Sequence, residues 1–183
     1  MNRTTPLLVL GLGNVLLEDD GVGGAAVSLL REQYTSPAGV EVLDGGTLGL
    51  SLLPYLQSAE TVILVDAVRT EAAPGSLVRL SGDEVAPAVA TRLSPHQVGV
   101  ADLLDGARWL ERYPTRVVLL GLVPESMELA VGLSSKVRPA LPTLVERIVD
   151  EAGALGFAFR RKSADETSAV DRALDVSRLA GLR

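Results

Sequence analysis

Leu7-Leu8-Val9-Leu10-Gly11-Leu12-Gly13-Asn14-Val15-Leu16-Leu17-Glu18-Asp19-Asp20-Gly21 sets an apolar run, two spaced glycines and three consecutive carboxylates in that order. A four-residue apolar run closed by glycine reads as a buried strand. From Gly21 to Glu32 the apolar residues Val22, Ala25, Ala26, Leu29 and Leu30 recur at helical spacing. The unit is therefore strand, loop, helix, and the same alternation continues outward from it. Val40 to Leu43 is a second strand, closed by Asp44-Gly45-Gly46-Thr47, and Leu48 to Leu56 a short helix. Thr61 to Val65 is β-branched or apolar throughout, the composition of a buried strand, and ends at Asp66. Ala73 to Ser76 is a turn, Leu77 to Leu80 an edge strand, Gln97 to Leu110 a helix and Arg116 to Leu122 another buried strand. Val137 to Ala154 is a last helix, with Pro139 and Pro142 near its start, where proline is tolerated. Such alternation predicts an α/β fold, a three-layer α/β/α sandwich around a mainly parallel sheet. Residues 1–156 are expected to form the domain and 157–183 a tail, with a polar linker from Arg160 to Thr167 and then, over Val170 to Leu182, either one more amphipathic helix or loose chain.

The chain has 183 residues and is 47% hydrophobic but only 3% aromatic, so its core must be leucine, valine and alanine. The net charge is −6, and the acidic excess lies in the first 156 residues. An acidic body argues against nucleic acid as partner, because phosphate binding needs a basic footprint. No apolar stretch approaches the roughly 20 residues that span a bilayer, and the N-terminus does not read as a signal peptide. With no cysteine, disulfides, thiol nucleophiles and thiolate-held zinc or iron–sulfur clusters are excluded. A cytoplasmic protein is expected.

In open α/β sheets ligands gather at the carboxyl ends of the strands. Asn14 and Asp20 follow the first strand, Asp44 the second and Asp66 the third. The glycine pair suggests a phosphate-binding turn, but the last glycine of a dinucleotide fingerprint is Leu16 here, and three carboxylates would repel a phosphate. Helix capping by Asp19 or Asp20 explains those acids without any function. Asp66 and Asp44 read equally well as turn-supporting residues. His96, the single histidine, stands in Ser94-Pro95-His96-Gln97 before a helix, where a structural role competes with one facing a cleft. The sequence has no zincin helix motif, no nucleophile elbow and no cysteine–histidine pair. What survives is a mixed carboxylate–imidazole set, Asp20, Asp66 and His96, whose donors suit a borderline divalent metal such as zinc or nickel.

Five blocks taken together resemble the nickel–iron hydrogenase maturation proteases: Gly11 to Gly23, Asp44 to Thr47, Val65 to Ala67, Ser94 to Gln97 and Gly121 to Ser126. The resemblance covers roughly residues 6 to 155. It implies a twisted, mainly parallel five-stranded sheet between helices, of the phosphorylase/hydrolase-like kind. It also implies an endopeptidase, often classed as aspartic-type, that removes a C-terminal extension from a hydrogenase large-subunit precursor. By residue match Asp20, Asp66 and His96 would contact metal and carry catalysis; Asn14, Asp44 and Gly45, in the turns after the first two strands, are the candidates for substrate binding. The metal is expected to be nickel carried by the precursor rather than a resident cofactor, and the enzyme to be a monomer with no membrane or nucleic-acid partner. Three other readings remain: a metal-dependent hydrolase of small peptides or amides, a non-catalytic Rossmann-like binding module, and a chaperone-like family member that binds the precursor without cutting it.

Overall fold

The computed structural model describes residues 4–90, 100–110, 112–163 and 166. Strand β1 (Thr5–Leu12) is followed by helix α1 (Val22–Gln33), the short strand β2 (Tyr34–Thr35), strand β3 (Val40–Gly46), helix α2 (Leu53–Ser58) and strand β4 (Ala59–Ala67). Strand β5 (Leu77–Ser81), helices α3 (Val85–Ala90) and α4 (Val100–Trp109), strand β6 (Arg116–Leu122), helix α5 (Leu141–Ala154) and strand β7 (Arg160–Arg161) complete the order. Among the described residues five strands form one sheet in the order β3-β1-β4-β6-β5. All its pairings are parallel except β5 with β6, which is antiparallel.

Alternate residues of the central strands feed two cores. Leu7, Val9, Ile63, Val65, Val118 and Leu120 pack with Val22, Ala26 and Leu30 of α1 and with Leu144 and Ile148 of α5. Leu8, Leu10, Val62, Leu64, Val117 and Leu119 pack on the other face with Leu56 of α2 and with Leu103, Leu104 and Ala107 of α4. Burial on both faces explains why these strands are continuous apolar runs rather than alternating ones. Each such leucine or isoleucine contributes about 1.5–3 kcal/mol over the exposed state. Pro139 and Pro142 take first-turn positions, Pro139 in the 3-10 turn Arg138–Ala140 and Pro142 in α5.

The segment after α5 returns to the body. Phe157 and Phe159 pack against the α1/α5 core. Arg160 and Arg161 pair antiparallel with Thr35 and Tyr34 at the start of the stretch read as linker.

Helix α5 is tied to the edge strand by charge. Glu151 accepts from the Nε and Nη2 groups of Arg79, both at 2.8 Å. The guanidinium beside it holds the Glu151 carboxyl below its usual range, against the opposing pull of burial. A depressed folded-state pKa means that the pair stabilises the fold above the unfolded carboxylate value of about 4.3, and that this contribution fades as pH falls through the folded value. Because Arg79 is 38% exposed, screening limits the pair. Glu151→Gln is expected to lower unfolding free energy by about 1–2 kcal/mol at neutral pH. Urea melts should show the gap between variant and parent closing below about pH 4.

Candidate active site

The loop that joins β1 to α1 is shaped by Gly13. Gly13 has a φ of +116°, and a Cβ there would lie 1.7 Å from the Asp20 carbonyl oxygen. The chain therefore folds back so that Asp20 sits directly against the glycine turn. Residues Glu18–Gly21 form a 3-10 turn that packs on β4, the strand whose carboxyl end carries Asp66. Asp20 is 6% exposed, and its Oδ2 accepts from the Asn14 amide at 2.7 Å. That amide is one a phosphate would need at a glycine turn, so the nucleotide reading loses its donor to a carboxylate. Asn14 itself closes the turn, its Oδ1 accepting from the Leu16 amide at 3.0 Å.

Asp66 is fully buried, and its Oδ1 accepts from the Ala67 amide at 2.9 Å. It lies opposite Gly121 of β6, where a side chain would meet the Asp66 carbonyl oxygen at 2.2 Å. The structure thus brings the Asp20 turn and Asp66 to the same edge of the sheet. Asp44 lies near the carboxyl end of β3, on that edge too. It is exposed, accepts from the Gly46 amide at 3.1 Å, and its carboxylate rests against Gly24 in the first turn of α1. Gly45 faces inward instead: a Cβ there would meet Leu10 and Leu52, each at 2.9 Å. His96 lies outside the described residues, together with Ser94, Pro95 and Gln97. Among the described residues no three histidines or carboxylates gather as a metal-holding group.

The capping reading of the acids is corrected. The N-cap of α1 is Gly21, and no side chain caps the helix. Asp19, fully buried, instead reaches the loop that follows β6. Its Oδ2 accepts from the amides of Glu125 and Ser126 at 2.9 and 3.1 Å, and its Oδ1 from that of Ser134 at 2.8 Å. Three donors on a carboxylate make a strong, charge-assisted anchor. Sequence reading missed it because the partners lie more than a hundred residues away. The neighbouring Glu18 has a φ of +45°, left-handed backbone that costs a non-glycine residue about 1–2 kcal/mol. Beyond Asp66, Arg69, Thr70 and residues 123–127 line a cleft of about 320 Å³, with Arg69 Nη2 set 3.2 Å from the Met127 sulfur.

Comparison with known proteins narrows what this edge belongs to. The family model described as hydrogenase maturation protease matches residues 25–151. The hydrogenase 2 maturation protease of Escherichia coli K12 is 37% identical over 144 residues, covering 78% of this chain and 88% of that one. A hydrogenase expression/formation protein, HupD, from Rhodobacter capsulatus is 40% identical over 148 residues, covering 80% and 69%. The solved hydrogenase maturating endopeptidase HybD from E. coli superposes with a TM-score of 0.81 at 34% identity, covering 86% of this chain and 98% of that one. Fold and relatives define the class as a hydrolase, an endopeptidase on an α/β sheet. The chain belongs to the hydrogenase maturation protease family. The five-stranded, mainly parallel sheet expected from the sequence is the one observed.

Proposed function

We propose that this endopeptidase removes the C-terminal extension of a nickel-loaded [NiFe]-hydrogenase large-subunit precursor, and that the nickel in the precursor is its recognition element. The observation that carries the reading is the buried Asp20 turn packed on β4, the strand that carries buried Asp66 at its carboxyl end. Two carboxylates held on one edge offer hard oxygen donors to a divalent ion, and an imidazole would complete a mixed set suited to nickel. We assign that imidazole to His96. The nickel arrives as part of the substrate. Water then attacks the scissile carbonyl, its proton taken by a carboxylate acting as general base or its pKa lowered by the metal. Hydroxide adds to the carbonyl carbon, the C–N bond breaks, and the amine leaves with a proton. Asp44, beside the first turn of α1, is placed to orient the approaching chain. The reading extends to a monomer that works in the cytoplasm on a protein partner.

The test is a processing assay on purified precursor with and without nickel. Nickel-loaded precursor should be shortened at the C-terminus and nickel-free precursor left intact; equal cutting of both would refute nickel recognition. His96→Ala should lower the rate on the loaded form by about 10²-fold or more. Normal processing by that variant would remove His96 from the site.

A further inference from the structure

Val15, Leu16, Leu129 and Val131 are exposed over 57, 53, 83 and 85% of their surfaces. They occupy two segments joined side by side. Leu17 and Ala130 form a parallel bridge, in which the Ala130 amide donates to the Leu16 carbonyl at 3.1 Å and the Glu18 amide donates to the Ala130 carbonyl at 2.9 Å. Four large apolar side chains therefore form one rim, beginning next to the turn that carries Asp20. Apolar side chains gathered in this way, rather than scattered, mark a surface that meets another molecule.

The rim is also held stiff. Asp19 pins the Glu125–Ser134 loop from below through three backbone amides, although Leu129 and Val131 contribute nothing to the core. Ordering such a loop during folding removes an entropic cost that binding would otherwise carry. Ala130 turns its amide and carbonyl toward Leu16 and Glu18, and Leu129 and Val131 lie in bends on either side of it. Exposed apolar side chains on two adjoining segments match a peptide that offers apolar side chains of its own.

We propose that the Val15, Leu16, Leu129 and Val131 rim is the docking surface for an apolar stretch of the precursor adjoining the bond that is cut, and that Asp19 is the positioning residue that holds this rim beside Asp20. The proposal rests on the reading of Asp20 as part of the cutting site. The precursor is the occupant because the rim is continuous with the Asp20 turn. A second copy of this chain seated there would cover the approach to the enzyme's own site.

The test measures processing of nickel-loaded precursor over a concentration series with Leu129→Asp/Val131→Asp. Both side chains are exposed, so circular dichroism and melting should match the parent. KM should rise about tenfold or more with kcat within about threefold, the signature of lost binding that the transition state shares with the ground state. An unchanged KM overturns the proposal. Asp20→Asn runs beside it: if that variant turns over normally, the site reading fails, while the KM of the rim variant still reports on the rim. A benzoylphenylalanine placed at position 129 should crosslink to the C-terminal region of the precursor. Crosslinks confined to the rest of the precursor, or to a second copy of this chain, overturn the proposal.

Discussion

Asp66→Asn and Asp20→Asn should each slow processing of the nickel-loaded precursor by about 10²–10⁴-fold while leaving the fold intact. The substitutions keep size and shape. An asparagine carbonyl oxygen still accepts from the Ala67 amide at position 66 and from the Asn14 amide at position 20, the bonds the carboxylates make now. What disappears is the negative charge, which both a divalent ion and an abstracted proton require. The assay follows the shortening of the precursor with time, paired with thermal melts of each variant. Asparagine variants that cut at the parental rate would strip the carboxylates of their proposed role. Asp19→Asn makes the contrast. Its carboxylate meets three amide donors, so an NH₂ group would be turned against at least one of them. That variant should lose stability as well as activity.

The difference between Asp19 and Asp20 shows where sequence reasoning reaches its end. Strands β1, β4 and β6 are legible because burial on both faces requires unbroken apolar runs, and Arg116–Leu122 appears with the bounds read from sequence. The edge strand β5 is legible from the turn before it. Within Glu18-Asp19-Asp20, by contrast, local chemistry offers capping to either aspartate, and the outcome depends on the loop 106 to 115 residues further along. The pairing of Arg160 and Arg161 with Thr35 and Tyr34 is equally hidden. Two residues carry no periodicity, and their partners are set by where α1 and α5 end. Of the proposed site, the convergence of Asp20 and Asp66 on one edge follows from strand order, which a parallel sheet imposes on residues at strand ends.

That convergence depends on how closely α1 approaches the sheet, and Gly23→Ala should undo it. A Cβ on Gly23 would stand 2.2 Å from the Val65 carbonyl oxygen and 2.3 Å from that of Leu12. Helix α1 thus meets β1 and β4 backbone to backbone, at a separation that only hydrogen permits. The obstacles are main-chain atoms of two central strands, and neither can swing aside as a side-chain tip would. The helix start must lift by about 1 Å to restore ordinary contact, which opens the core beneath Val22 and Ala26. Overpacking of this kind costs about 1–3 kcal/mol, and more where backbone must move. Urea denaturation should show a loss at or above the upper end of that range. Because Asp20 lies two residues before α1, the same shift should displace it from Asp66 and cost roughly another 10²-fold in processing by the surviving folded enzyme. Gly153→Ala in α5 is the matched control, since nothing lies within 4 Å of a Cβ there. Helix propensity alone should make that variant equal to the parent or more stable by up to about 1 kcal/mol. If Gly23→Ala instead matched Gly153→Ala in both stability and processing, the close approach of α1 would not exist, and the edge that unites Asp20 with Asp66 would lose its foundation.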